Sequence, residues 1–508
     1  SSCQRSLLMS GLSIGGAYVI YETILPNQED SHVSTEVFLV VAPIYAAQKQ
    51  VHRTELLGIE YLAGTARQAG FTMKIWDPTI GEGTPCGPGR FYFGPSDEEV
   101  ALRLRNEQPD ILAISCHYGF SAVNAYSIAR IAKKVAPNCT VIMGGLFISV
   151  NLTRAMEECA EIDYSIIGEG DRTFTELLQC LNAKEDPTHI DGLIYRDGSA
   201  VPEHTIRRNP KTDYIDDLDA LPLPARDLVP IDAYMNGSKD YQLYGLGFRP
   251  ALSLLSSRSC PMGCSFCNMH LVHGQKWRPR SVDSCIEELE EMSNRWDAHH
   301  VFIMDDFWNL KKDRAKEFCE GIIKRGINIR WNTPNGISVK CMDKELAQLM
   351  KRSGCASTCI AIESGSERVR HELMNKKTYN REIYSTIEYL SGADIPVVGF
   401  VIVGMPGEKR IDLEESKSFI QKLDLAAAVV SFAVPFRGTA LYEELAASED
   451  NVFDGSNSID DYKHPVLVPE DMTAQEIIDY KSELMGAFNG LGILAQIERE
   501  NERHLLSA

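Results

Sequence analysis

The stretch ALSLLSS (251–257), running into SRSCPMGCSFCNMH (257–270), decides how this chain is read. Its first half is an apolar run of strand length. Its second half places Cys260, Cys264 and Cys267 on one short loop, spaced Cys-x3-Cys-x2-Cys. Thiolates are soft ligands that favour iron–sulfur clusters, zinc and Cu(I). A cubane 4Fe–4S cluster normally takes four cysteines. Only three come close together here, which leaves one iron open to a substrate or cofactor. The competing reading is a zinc knuckle, with His270 as fourth ligand three residues after Cys267.

Downstream, five more strand candidates alternate with helical stretches such as SVDSCIEELEEMSNRW (281–296) and DKELAQLMKRSG (343–354). The strands are HVFIMDD (300–306), INIRWNTP (327–334), STCIAIESG (357–365), IPVVGFVIVG (395–404) and AAVVSFAVP (427–435). Six repeats of strand then helix fit a partial (β/α)6 barrel, with chemistry at the carboxyl ends of its strands. A structural zinc leaves the placement of the cysteines at that barrel mouth unexplained. Asp305 and Asp306 end the second strand, where carboxylates can orient a ligand or transfer a proton; the alternative is a solvated or helix-capping pair. Arg278 and Arg280 in GQKWRPRS (274–281) are candidates to grip an anionic substrate bidentately, or else simply face solvent.

Upstream, EVFLVVAP (36–43), FTMKIWDP (71–78), DILAISC (110–116), TVIMGG (140–145) and DYSIIGEG (163–170) read as buried strands. Helical segments separate them, one of them (54–70) ending on Gly70 as a natural C-cap. Such alternation predicts a doubly wound parallel sheet with its ligand crevice at the carboxyl ends of the strands. GLIYRDGSAVPEH (192–204) reads as a hairpin turning on Asp-Gly, and NPKTDYIDDLDALPLPARDLVP (209–230) as linker. The uncharged run at 6–21 is too short and polar to span a membrane and reads as an extension packing on the domain behind it. The α/β chain therefore divides into an extension (1–35), a first sheet domain (36–185), a hairpin and linker (186–246), the barrel (247–445) and a small helical C-terminal region (446–508).

Among 508 residues, 51 are basic and 71 acidic, a net charge of −20. That balance argues against nucleic acid and anionic membranes as partners. Fourteen cysteines in a chain of this length do not mark a disulfide-stapled secreted scaffold. Beyond the three on the loop, they read as reduced thiols of a cytoplasmic protein.

The cysteine loop after the first barrel strand resembles that of the radical S-adenosylmethionine (SAM) superfamily. FIMDDF (302–307), AIESGSERV (361–369), VGFVIVGMPGE (398–408) and VPFRGTALYEEL (434–445) match it at the corresponding places. The resemblance implies a 4Fe–4S cluster on the three cysteines, with SAM chelating the open iron. It implies Phe266, Glu363, Ser364, Gly365, Gly404 and Gly407 as SAM-binding residues. Reduced flavodoxin or ferredoxin is the implied electron donor.

Gly144–Gly145 and Gly168–Glu169–Gly170 follow consecutive strands of the first sheet, where a large ligand can approach closely. The first strand ends in APIYAA, without the GxGxxG of a nicotinamide site. The order of these glycines is similar to the cobalamin-binding, Rossmann-like domain of class B radical SAM methyltransferases. These glycines with Glu169, and Ser115, His117 and Tyr118, are the implied corrinoid contacts. No Asp-x-His-x-x-Gly ligand motif is present in DSHVST (30–35) or DAHHVF (297–302), so the resemblance implies cobalamin without the usual lower histidine.

The implied activity is methyl transfer from SAM by way of methylcobalamin to an unactivated carbon. The acceptor is a phosphonate-like small molecule or a peptide or protein residue such as a glutamine. The nearest resemblance is to the phosphonate C-methyltransferases of fosfomycin biosynthesis, with similarity to the glutamine C-methyltransferases of methyl-coenzyme M reductase. A ring-forming cobalamin-dependent radical SAM enzyme, a methylthiotransferase, and a non-catalytic cobalamin or zinc protein remain as alternatives.

Overall fold

Strand β1 (Glu36–Val41) alternates its apolar side chains between two faces, and both are buried. Phe38 and Val40 join Leu112, Ile114, Val141 and Met143 in one core, while Val37 and Leu39 join Ile111, Ala113 and Ile142 in another. A sheet apolar on both faces must be covered on both, which is the physical content of double winding. The computed structural model describes residues 35–46, 49, 55–198, 205–236, 251–447 and 464–488. The apolar run at 6–21, all but the last residue of DSHVST and the C-terminal end of the chain lie outside them.

The first sheet contains β1, β2 (Thr72–Trp76), β3 (Ile111–Ser115), β4 (Thr140–Gly144), β5 (Tyr164–Ile166), β6 (Leu193–Asp197) and β7 (Thr205–Arg208). Its order is β7-β6-β5-β4-β3-β1-β2, with β1 to β5 parallel and β6 and β7 antiparallel at one edge. The order reverses between β1 and β3, so a crevice opens there at the carboxyl ends. The expected hairpin therefore belongs to this sheet. Residues 199–204 of its turn lie outside the described residues. Gly70 follows the helix Leu57–Gln68 at φ +95°, the cap its position predicts.

The second sheet runs in chain order: β8 (Ala251–Leu254), β9 (His300–Ile303), β10 (Arg330–Ile337), β11 (Cys355–Glu363), β12 (Val397–Val403) and β13 (Ala427–Phe432). Every pairing in it is parallel. Leu252, Leu254, Val301, Ile303 and Trp331 pack outward against the helices. Trp331 meets Trp308 at 5.1 Å between ring centroids, and both meet Phe318. The helix Ala474–Phe488 covers β13.

The segment read as linker is folded between the two sheets. Ile215, Leu218, Ala225 and Arg226 within it are buried. Arg226 ion-pairs with Glu55 ahead of the first helix and with Glu288 of the helix Val282–Trp296. A second buried network lies at the strand ends. Arg258 Nη1 donates to Glu169 Oε1 and to Asp171 Oδ2, each at 2.6 Å, and Arg278 Nη1 donates to Glu169 Oε2 at 2.9 Å. Glu169 and Asp171 belong to the first sheet and its helix Asp171–Ala183, while Arg258 and Arg278 flank the cysteine loop. Charges taken out of water this completely persist only when paired and hydrogen-bonded.

Two outcomes follow. Trp331→Ala lowers unfolding stability by about 3–5 kcal/mol in a denaturant titration, because the aromatic packing cannot close around the void. Burial alone would raise the Glu169 carboxyl, but Arg258 and Arg278 outweigh it and hold the pKa at about 2, below the ordinary 4.5. A depressed carboxyl stabilises the fold above its unfolded pKa and loses that contribution as pH falls toward the folded value. Thermal unfolding of the wild type therefore loses stability between about pH 4.5 and about pH 2, and Glu169→Gln shows a smaller loss over that window.

Candidate active site

The cysteine loop is fixed at both ends by backbone hydrogen bonds. Ser257–Arg258 pairs antiparallel with Arg278–Pro279, closing the base of the loop. The Ser265 amide donates to Met374 O at 3.0 Å, and Leu441 N donates to Ser265 O at 2.9 Å. Phe266 packs with Val369, Met374, Met405 and Leu441, an apolar wall joining the loop to three later motifs. Cys260, Cys264 and Cys267 are half-buried free thiols. Burial raises all three, Cys264 to about 11; Cys260 also feels the charge of Cys267, and Cys264 that of both others. Thiols raised in this way stay protonated until a metal displaces the proton. Among the described residues no three His, Cys, Asp or Glu side chains converge as a single-ion site requires. Three free thiols on one pinned loop are the donor set a cluster takes.

The structure separates the two acids at the end of β9. Asp305 accepts hydrogen bonds from Ser256 N, Ser256 Oγ and Ser257 Oγ, each at 2.6 Å, and is buried. Its carboxylate is fully used in fixing the strand that enters the cysteine loop, which corrects the expectation of a catalytic acid or base there. Asp306 is half-buried; burial and the neighbouring Asp305 charge push it up to about 6. It lies near enough to Cys260 and Cys267 for its charge to act on both.

Glu363 ends β11 at φ +62°, a backbone region costly for a side-chain-bearing residue. Its Oε1 accepts from Lys376 Nζ at 2.9 Å, and both charges influence the cysteines. Lys376 has no signal in the motif spacing; only its place on the segment packed against the loop marks it. Ser364 Oγ meets Ser416 Oγ at 2.8 Å, and a Cβ on Gly365 would lie 2.4 Å from Ser416 Cα. Both residues are engaged with the helix Arg410–Ile420, so of this trio Glu363 alone is directed to the loop. Gly404 and Gly407 bracket a turn in which Glu408 Oε2 accepts from Gly404 N at 2.7 Å and Met405 N at 3.1 Å. Glu408 thus shapes that turn, a role the motif conceals.

At the first sheet, Ser115, His117 and Tyr118 lie at the end of β3 and Gly144–Gly145 at the end of β4. A Cβ on Gly145, at φ +104°, would sit 2.4 Å from Cys116 O, so only glycine lets these strand ends meet. A Cβ on Gly144 would meet nothing within 4 Å, which leaves open space for a flat ligand. His117 packs edge-on to Tyr118 at 4.6 Å, and Tyr118 stacks on Phe120 at 5.0 Å. Tyr118 is 43% exposed. His117 is open to solvent yet has protein on most sides, as in a crevice, and this lowers its imidazole pKa. An uncharged imidazole beside stacked aromatics suits the face of a macrocycle, so these residues fit a corrinoid.

Five site residues are placed otherwise than expected. Glu169 is spent on Arg258, Arg278 and the amide of Ile215, so it does not contact a corrinoid. Gly168 turns toward the cysteine loop: a Cβ there would stand 3.1 Å from Val272 O. Gly170 packs beside Leu62. Arg278 also donates to Ile215 O and His273 O, while Arg280 is held by Glu288 and Ser284. Both arginines are buried and fully paired, so neither is free to grip a substrate anion.

Comparison with known proteins agrees with this geometry. Residues 254–420 match the radical SAM superfamily and residues 49–178 match the B12 binding domain. An uncharacterized methyltransferase of Pyrococcus horikoshii is 29% identical over 415 residues, covering 81% of this chain and 83% of that protein. The cytidylyl-2-hydroxyethylphosphonate methyltransferase of Streptomyces wedmorensis is 27% identical, covering 76% and 77%. The radical SAM methyltransferase TsrM from Kitasatospora setae, solved with cobalamin and a 4Fe–4S cluster, shares the fold at a TM-score of 0.64. It has 18% identity and covers 87% of this chain and 83% of its own. The two matched regions, a B12 binding domain followed by a radical SAM domain, make this chain a cobalamin-dependent radical SAM protein with a 4Fe–4S cluster, SAM and cobalamin as its cofactors, and the relatives it resembles over most of its length are methyltransferases.

Proposed function

We propose that the chain methylates an unactivated carbon of a small molecule, or of a peptide or protein residue such as a glutamine. The observation that carries this reading is the shared wall: the turn after β5 of the corrinoid sheet packs on the backbone just after the cluster cysteines, with Gly168 against Val272 O. Two cofactors on either side of one wall can serve one acceptor carbon. When bound, the cluster supplies the electron that opens SAM to a radical, and cobalamin carries the methyl group.

The chain's own residues hold and orient these groups. Cys260, Cys264 and Cys267 hold the cluster, and Phe266 with Met405 excludes water beside it. Glu363, kept in place by Lys376, would hold the SAM amino group, and the turn from Gly404 to Gly407 would offer backbone to its adenine. His117 and Tyr118 would hold the corrin. Asp306 is the remaining acid at the cluster that can hold a proton. Arg278 and Arg280 are committed to ion pairs and do not supply the expected grip on a phosphonate. Among the described residues no helix is long and apolar enough to cross a membrane. A reducing cytoplasm and a reduced flavodoxin or ferredoxin donor suit the free thiols.

Anaerobic reconstitution with iron, sulfide and hydroxocobalamin tests the proposal. Absorption and EPR spectra are expected to show a reducible 4Fe–4S cluster and a bound corrinoid; absence of either contradicts it. Replacing Cys260, Cys264 and Cys267 by Ala removes the cluster signal and 5′-deoxyadenosine formation, yet leaves corrinoid binding unchanged. The double change His117→Ala and Tyr118→Ala does the converse, weakening corrinoid affinity about tenfold, or about 1.4 kcal/mol.

A further inference from the structure

The turn after β5 grips both ends of the cysteine loop. Before the loop, Glu169 and Asp171 hold Arg258, two residues ahead of Cys260. After the loop, Glu169 holds Arg278, which in turn donates to His273 O at 2.8 Å, at the end of the short helix His270–His273. Gly168 lies against the carbonyls of Leu271 and Val272 in the same helix. All four charged side chains are buried.

Between the first grip and the first cysteine stands Ser259, at φ +78°. This conformation is disfavoured for serine and persists only when its surroundings over-determine it. Ser259 Oγ donates to Gly274 O at 2.7 Å, and Arg258 is locked on the other side. The direction in which the chain enters Cys260 is therefore imposed in part by a turn of the corrinoid sheet.

We propose that Glu169 is a positioning residue that sets the register between the two cofactors, holding the cluster loop against the corrinoid crevice through Arg258 and Arg278. A merely stabilising ion network would require neither a grip at both ends of one loop nor a strained residue beside the first ligand. Glu169 touches neither cofactor; it acts through the arginines. The inference rests on the proposed pairing of cluster and corrinoid in this chain.

The test uses the full chain, reconstituted with iron–sulfur cluster and hydroxocobalamin, in three forms: wild type, Glu169→Gln and Arg258→Lys. Pulsed EPR reads the dipolar coupling between cob(II)alamin and the reduced cluster, which depends on their separation. S-adenosylhomocysteine formed from SAM with chemically reduced cobalamin, and 5′-deoxyadenosine formed with dithionite, are measured alongside. The wild type is expected to give one narrow distance distribution. Glu169→Gln keeps both cofactor spectra, broadens that distribution and lowers the S-adenosylhomocysteine rate at least tenfold, while 5′-deoxyadenosine formation changes less than threefold. Arg258→Lys, which keeps the charge, gives an intermediate result. An unchanged narrow distribution in Glu169→Gln overturns the positioning role and leaves the functional reading intact. Loss of both cofactors and of the fold together in both variants also overturns it, in favour of a purely structural network. Absence of cluster or corrinoid in the wild type overturns the functional reading, and the inference with it.

Discussion

A buried carboxylate, Glu169, and the two guanidinium groups that flank it hold this molecule's halves in register. Each half has its own core, and Leu56 and Ile75 pack against both. Ion pairs removed from water add little net stability against a well-packed apolar alternative, but leaving one partner unpaired costs about 3–5 kcal/mol. That asymmetry punishes any misalignment, so the network acts on geometry more than on stability. Arg226, between Glu55 and Glu288, does the same lower in the interface.

Several features of the active site are easier to understand from this constraint. Asp305 is consumed by Ser256 and Ser257 because the strand entering the loop has to arrive at a fixed angle. Ser259 takes its strained conformation because Arg258 is locked beside it and its own hydroxyl is bound to Gly274 O. The cysteine loop is then pinned by the segment around Met374 and by Leu441. Little freedom remains in the loop, as a site that positions reactive groups requires.

Much of the architecture was legible in the sequence, because parallel strands buried on both faces read as uninterrupted apolar runs. All five strands expected in the first sheet and all six in the second form. The cysteine loop was legible from spacing alone. What misled was charge. Arg278, Arg280, Asp305 and Glu169 sit beside motifs, where a polar residue reads as functional, yet each is committed to the fold: Arg278 pairs with Glu169, 109 positions away, Asp305 with Ser256, 49 positions away, and Arg280 with Glu288 of the following helix. Pairings of that kind arise only from the fold, and no local pattern announces them. The acidic, proline-rich stretch at 209–230 misled for the same reason: it has linker composition, but its few apolar side chains and Arg226 are buried between the sheets.

If one chain brings a corrinoid and a SAM-cleaving cluster to a single site, both cofactors act on SAM in one reaction mixture. Reconstituted protein is incubated with SAM carrying a deuterated methyl group, reduced cobalamin and a low-potential reductant, and the products are analysed by mass spectrometry. Deuterated methylcobalamin on the protein together with 5′-deoxyadenosine in solution is the expected result. Formation of 5′-deoxyadenosine with no label on the corrinoid would contradict the shared site.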